Sequence, residues 1–301
     1  MNIGQALAFA SEKLKSPEIN KPLYEAELLL SHTLKKEREF LFTHPEAEIG
    51  QKKFIEFRKL LEKRKHNFSI AYLCGYKYFF GLKFFINADV LVPRPETELM
   101  VEEALRHTNK NTVRSRYGKI LILDIGTGSG CISIATAKEL QKSNKRLAGY
   151  EFHAVDISKK ALKIAKKNAA FHNVKNNVSF YHGDLLEPIL KKRKKEKGKI
   201  IICANLPYLT PAQIKDSPSI RKEPKLALAA GRDGLKYYRA LFRQISQNLL
   251  PRQSDVILLI EIDHTQKACV TKLIREELPQ AKFTIKKDLS GFDRLVSISF
   301  S

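Results

Sequence analysis

The chain has 301 residues, 43% of them hydrophobic, and carries 54 Lys and Arg against 32 Asp and Glu for a formal charge of +22. That length buries one large core or two smaller ones, and no apolar run reaches the ~18 residues of a membrane span. Four cysteines without CxxC spacing argue against a zinc site or a disulfide framework and fit a reducing compartment.

The N-terminal stretch MNIGQALAFASEKLKS lacks the apolar segment of a signal peptide, which predicts a cytoplasmic protein. Helical spacing follows. In LYEAELLLSHTL, Leu23, Ala26, Leu29 and Leu30 recur at three- and four-residue intervals, and FIEFRKLLEKR repeats the pattern. Pro17 and Pro22 punctuate these helices, so residues 1–73 are expected to form a small all-helical domain.

From residue 74 the character changes. YKYFFGLKFFINADVLVPRP is rich in aromatic and β-branched residues around Gly81, which predicts a β-hairpin linker over 74–95. A helix from about Glu96 follows, with acids in its first turn where the macrodipole favours them.

Beyond it, KILILD, YEFHAVD, VSFYH, KIIICA and VILLIE alternate with helical patterns, which predicts an α/β domain over 96–301 with a parallel sheet wrapped by helices. FTIKKD and DRLVSISF read as an antiparallel edge pair. The positive charge suits an acidic partner such as RNA, but much of it lies on helix faces beside glutamates. The dense cluster at 191–199, KKRKKEKGK, has no interleaved aromatic residues and reads as a solvated loop.

The first constellation of chemical interest is ILDIGTGSGCISIA, where Gly126, Thr127, Gly128, Ser129 and Gly130 link a strand to a helix. Glycines let the chain turn sharply and let a ligand lie on the backbone, while the helix start offers free N–H groups. The spacing GxGxG differs from the dinucleotide fingerprint GxGxxG, and Asp124 precedes it. An acid there suits an ammonium group better than a diphosphate, and S-adenosylmethionine carries an ammonium, a sulfonium and no phosphate. Asp156 ends the next strand, placed for ribose hydroxyls. It lies somewhat further past Gly130 than the usual ~20 residues, which predicts a loop insertion around QKSNKRLAG. Asp184 follows the third strand where adenine would lie, with Leu185 available to pack on the ring. Taken alone, either of these last two acids could merely cap a helix.

The fourth strand delivers Asn205, Leu206, Pro207 and Tyr208 to the same sheet edge. Two acceptors, Asn205 Oδ1 and the Leu206 carbonyl held by the fixed φ of Pro207, could grip the two N–H bonds of a planar nitrogen group. Tyr208 would offer a flat face, and the displacement would then be mostly positioning, with no metal required. A turn with a core Tyr is the structural alternative for the same four residues.

DIGTGSG followed by an Asn-x-Pro-Tyr tetrapeptide resembles the amino- and amide-nitrogen methyltransferases dependent on S-adenosylmethionine. These include adenine-N6 DNA methyltransferases, ribosomal RNA adenine dimethyltransferases and the PrmC/HemK family, which methylates the glutamine of the Gly-Gly-Gln loop in peptide chain release factors. LYEAELLLSHTLKKEREFLFTHPEAEI and YFFGLKFFINADVLVPRPETELMVE resemble the helical domain and linker of the PrmC/HemK family, and RKEPKLALAAGRDGLKYYR and DLSGFDRLVSI resemble its later segments.

The resemblance runs from about residue 20 to residue 299 and implies a Rossmann-like class I methyltransferase domain. It implies class-I release factors as the protein partner, with no obligatory nucleic acid; the lack of a long apolar run predicts no membrane partner, and a monomer is the default expectation where the sequence leaves oligomeric state open. Asn205, Leu206, Pro207 and Tyr208 would hold the glutamine, while Arg94, Pro95 and Glu96 would close the site. Asp124, the glycine loop, Asp156, Asp184, Leu185 and Asn205 would hold the cofactor. The family usually has Pro where Leu206 stands, and the backbone carbonyl survives that change. Asn-Leu-Pro-Tyr and the positive charge favour a rival reading as an RNA or DNA adenine methyltransferase; the long segment before the glycine loop opposes it. A second rival is a nicotinamide-binding or non-catalytic interaction module, and GxGxG in place of GxGxxG argues against the nicotinamide version.

Overall fold

The computed structural model describes residues 1–109, 119–143, 147–192, 198–217, 220–251 and 255–300. The expected insertion around QKSNKRLAG and the basic stretch 191–199 therefore lie partly outside the described residues. The chain divides into two units, Met1–Tyr76 with Ser217–Lys222, and Lys77–Asp216 with Glu223–Ser301.

The first unit carries α1 (Ile3–Lys13), α2 (Pro22–Leu34), α3 (Arg38–Thr43), α4 (Gln51–Lys65) and α5 (Ile70–Cys74). Asn2 and Gln5 form a reciprocal capping box at the start of α1, and Pro22 opens α2 where its missing N–H costs nothing. Ala26, Leu29 and Leu30 meet Ala6, Ala10, Phe57 and Leu61 in one apolar cluster. Leu23, expected on that face, is exposed because it sits in the first turn of α2. Arg64 of α4 donates two hydrogen bonds to the Glu25 carboxylate of α2, at 2.6 and 3.1 Å.

In the second unit, the hairpin strands β1 (Tyr76–Phe79) and β2 (Leu82–Phe85) reverse at Phe80 and Gly81, both at positive φ. Phe79 and Phe84 enter the core. Then come α6 (Glu98–Asn109), β3 (Ile120–Ile125), α7 (Cys131–Lys142), β4 (Tyr150–Asp156), α8 (Lys159–Phe171), β5 (Val178–His182), α9 (Glu187–Lys192) and β6 (Ile200–Ala204). The remaining elements are α10 (Pro211–Asp216), α11 (Lys236–Gln244), β7 (Val256–Glu261), α12 (Lys267–Glu277), β8 (Lys282–Lys287) and β9 (Asp293–Phe300).

Seven strands form one sheet in the order β5-β4-β3-β6-β7-β9-β8, parallel from β5 to β7 and antiparallel at β9 and β8. The near-continuous apolar runs follow from burial on both faces. Leu121, Leu123 and Ile125 of β3 join one core layer with α11 and α12, while Ile120 and Ile122 join the other with α6 and α7. β6 and β7 divide the same way, at a period of two. The C-terminal pair is antiparallel as expected, but only β8 is an edge, because β9 is bonded to β7 on its other side.

Chain direction explains where a site can form. From β3 the chain runs outward through β4 and β5, then returns to lay β6 on the other side of β3. A crevice opens where the order reverses, outside the carboxyl ends of β3 and β6. Ile125 is registered with Ala204, and Ala204 with Ile260, so Gly126 after β3, Asn205 after β6 and Glu261, the last residue of β7, come at neighbouring strand ends.

Candidate active site

A cavity of about 240 Å³ lies at that crevice. Its floor is the glycine loop. Gly126, Gly128 and Gly130 have φ of +73°, +54° and +81°, values that side chains rarely adopt. At Gly130 a Cβ would also lie 2.9 Å from Ile134 Cδ1 and 3.2 Å from Ala165 Cβ, so this glycine lets α7 pack against α8. Gly126, Thr127, Gly128 and Ser129 line the cavity; Gly130 lies behind them as the cap of α7.

Asp124 is fully buried beneath the loop and is not among the residues lining the cavity. Its Oδ2 accepts from Thr127 Oγ1 at 2.6 Å and from Ser133 N at 3.2 Å, while Oδ1 has no hydrogen-bond partner among the described residues. Burial pushes its pKa from 3.8 up to about 6. Asp124, expected at the cofactor, thus lies beneath the loop and bonds Thr127 and Ser133 from below.

Asp156 does line the cavity. Its Oδ2 accepts from Gly128 N and its Oδ1 from Ser158 N, both at 2.8 Å, which stitches the glycine loop to the end of β4. Each oxygen keeps a lone pair for a further donor. Burial raises its pKa, and the two backbone bonds work against that rise. Asp184 and Leu185 form another wall, with Leu185 buried at φ +44°, a left-handed conformation uncommon for a branched side chain.

Asn205, Leu206 and Pro207 line the opposite side. Leu206 turns its side chain into the core against Gly126, where an added Cβ would meet Leu206 Cδ2 at 2.9 Å. No hydrogen bond among the described residues engages the Leu206 carbonyl or Asn205 Oδ1. Asn205 Nδ2 donates to Thr97 Oγ1 at 3.0 Å, and Thr97 Oγ1 donates to Glu261 Oε2 at 2.6 Å.

Tyr208, expected to offer its ring to the cavity, is not among the lining residues. Its hydroxyl donates to the other oxygen of Glu261, Oε1, at 3.2 Å. Burial raises the Tyr208 pKa, and the Glu261 charge adds to the rise, so it stays a neutral donor. Behind it, Gln266 Nε2 donates to the Tyr208 carbonyl at 2.9 Å.

Arg94 and Thr97 line the cavity, whereas Pro95 and Glu96 are exposed in the short helical turn between them. Of the residues expected to close the site, Arg94 thus lies at the cavity, and Thr97 lies there beside it. Arg94 Nη2 donates to the buried Glu223 Oε1 at 2.5 Å, and Val92 N donates to Glu223 Oε2 at 3.2 Å. Sequence reasoning passed over Thr97, Glu223, Glu261 and Asn168. Asn168 is buried and bonds Phe85 N, Phe85 O and Ser129 O, tying the hairpin to the glycine loop. Glu261 carried a usable signal, since it is one more acid at the end of an apolar strand.

Comparison with known proteins follows the same division. Residues 5–75 match the family model of the PrmC N-terminal domain, and residues 118–282 match the model of a methyltransferase domain. The chain is 36% identical over 296 residues to the release factor glutamine methyltransferase of Bacillus subtilis (strain 168), covering 98% of this chain and 96% of that one. It is 32% identical over 295 residues to the release factor glutamine methyltransferase of Coxiella burnetii (strain RSA 493), covering 98% and 95%. Among solved structures, the human Mettl16 catalytic domain in complex with a 3′UTR hairpin superposes with a TM-score of 0.54 at 14% identity, over 90% of this chain and 91% of that one. A human methyltransferase 10 domain containing protein gives 0.52 at 17% identity, over 74% and 90%. At those identities the likeness is one of fold.

Proposed function

The chain belongs to the release factor glutamine methyltransferase family, and we propose that its cavity transfers a methyl group from S-adenosylmethionine to the side-chain nitrogen of the glutamine in the Gly-Gly-Gln loop of peptide chain release factors. One observation carries this reading. The glycine loop lines the same cavity as Asn205 and Leu206, the residues whose Oδ1 and carbonyl are left unengaged among the described residues.

The residues fit the cofactor. A Cβ at Gly128 would meet nothing nearer than the Gly126 carbonyl oxygen at 3.9 Å, and the buried Asp124 oxygen that has no partner among the described residues makes the floor negative. A negative floor suits a cationic ligand and opposes a diphosphate. When bound, S-adenosylmethionine supplies a methyl group on a sulfonium, activated for displacement. Asp156, Asp184 and Leu185 are the residues for its ribose and adenine.

A primary carboxamide has two N–H bonds and a lone pair delocalised into its carbonyl. Two acceptors on one side of the cavity hold both N–H bonds and aim the nitrogen at the methyl group, so most of the catalysis is orientation. Pro207 gives the planar group a face, and Tyr208 braces the site through Glu261. Arg94, held by Glu223, closes the mouth. The helical unit supplies the surface that recognises the release factor, and the enzyme works in the cytoplasm as a monomer, without nucleic acid.

The test is transfer of labelled methyl from the cofactor, with release factor and ribosomal RNA offered in parallel. Label on the release factor is expected; label on RNA alone overturns the reading. Asn205→Ala is expected to slow transfer by on the order of 10²-fold or more, because one orienting contact is lost.

A further inference from the structure

An amide side chain has a donor end and an acceptor end of nearly equal size, and only the acceptor end serves here. An N–H of Asn205 facing the cavity would oppose the N–H of a bound carboxamide, donor against donor. Something must fix the sense of that amide. We propose that Glu261 and Thr97 are positioning residues that set the polarity of Asn205, keeping its oxygen toward the cavity through a one-way chain of hydrogen bonds.

The chain is short and each link has a direction. Glu261 ends β7 with its carboxylate buried, and donors reach both of its oxygens: Thr97 at Oε2 and Tyr208 at Oε1. A carboxylate holding both contacts is purely an acceptor. The Thr97 hydroxyl has one proton, and giving it to Glu261 leaves only lone pairs for Asn205. Asn205 therefore presents Nδ2 to Thr97 at 3.0 Å, which turns Oδ1 the other way.

If the Thr97 proton were free to swing, it could serve Asn205 Oδ1 equally well and the amide could reverse. The rest of the surroundings hold Glu261 in place. Tyr238 donates to the Glu261 carbonyl, and Arg294 Nη1 donates to the next carbonyl, that of Ile262, at 3.1 Å. Neither Thr97 nor Glu261 needs to touch the methyl group or the reacting nitrogen to control it.

The inference rests on Asn205 being the amide-holding residue, and its test has one arm that does not. Thr97→Val keeps the shape and removes the hydroxyl; Thr97→Ser keeps the hydroxyl and removes a methyl group. A packing role would be spared by Val and damaged by Ser. A polarity role gives the reverse order. With release factor and cofactor saturating, Thr97→Val is expected to lower kcat at least about tenfold with little change in the cofactor KM, and Thr97→Ser to recover most of that loss. Should Thr97→Val fail to fold, Thr97→Ala removes the same proton.

The second arm needs no turnover. In ¹H–¹⁵N spectra, the side-chain amide pair absent from Asn205→Asp identifies Asn205. That pair is expected to move in Thr97→Val and to stay near its wild-type position in Thr97→Ser. An unmoved pair in Thr97→Val, or Val outperforming Ser in kcat, overturns the proposal. A wild-type enzyme that leaves glutamine unmethylated refutes the functional reading instead, with the amide spectra still deciding the polarity chain.

Discussion

Asp124 holds its charge under the glycine loop with no exposure to solvent and one oxygen unpaired among the described residues. Its pKa of about 6 in the folded chain lies above its ordinary 3.8, so the folded state keeps the proton longer than the unfolded state does. The sign follows from linkage: between those values the folded state binds more protons, and this group makes stability fall as pH rises. A cationic ligand above the loop favours the charged carboxylate and offsets that cost. Cofactor affinity is therefore expected to strengthen between about pH 5 and about pH 7 and to level off above. Calorimetric titration of wild type and Asp124→Asn checks this. The rise should be present in the first and largely absent from the second, and equal curves would remove Asp124 from cofactor binding.

The segments around the site are braced by contacts that only certain residues permit. Gly234 shows this best. It has φ +70°, and a Cβ there would lie 2.3 Å from the Tyr208 carbonyl oxygen and 2.4 Å from Gln266 Nε2. Gly81, in the hairpin turn, has nearly the same φ of +69° but nothing within 4 Å. Gly81→Ala should thus cost only the left-handed strain, about 1–2 kcal/mol. Gly234→Ala adds a backbone clash, so its loss of thermal stability should be clearly larger, and methyl transfer should fall with it because the Tyr208 backbone must shift. Equal losses in Tm would show that the clash is relieved elsewhere. Asn168→Ala tests the other brace. It leaves the part-buried N–H and C=O of Phe85 and the buried carbonyl of Ser129 without that partner, for an expected loss of about 3 kcal/mol or more in denaturant unfolding.

At the scale of the whole molecule, the parts legible in the sequence were those with a local pattern. Burial on both faces makes β3, β6 and β7 unbroken apolar runs, and the glycine loop after β3, Asn205 after β6 and Glu261 at the end of β7 mark the edge where ligands bind. Thr97 and Glu261 stand 164 positions apart and Arg94 and Glu223 stand 129 apart. Contacts at such separation leave no spacing to read, so the residues that hold Asn205 and Arg94 emerged only from the fold. The path of the Tyr208 side chain was hidden for a related reason. Its neighbours in sequence point to the cavity, but the buried Glu261 carboxylate on the next strand draws its hydroxyl away. Two acceptors suit an exocyclic amine as well as a carboxamide, so the tetrapeptide leaves the target open. Near full-length similarity to release factor glutamine methyltransferases, including the helical N-terminal segment, selects the carboxamide.

That selection is the central claim, and mass spectrometry of the release factor tests it most directly. After incubation with the enzyme and S-adenosylmethionine, peptide fragmentation should place one added methyl group on the side-chain nitrogen of the glutamine in the Gly-Gly-Gln loop, and incubation with Asn205→Ala should leave that peptide unmodified. An unmodified glutamine with wild-type enzyme, while adenine in RNA offered alongside gains the methyl group, would contradict the account.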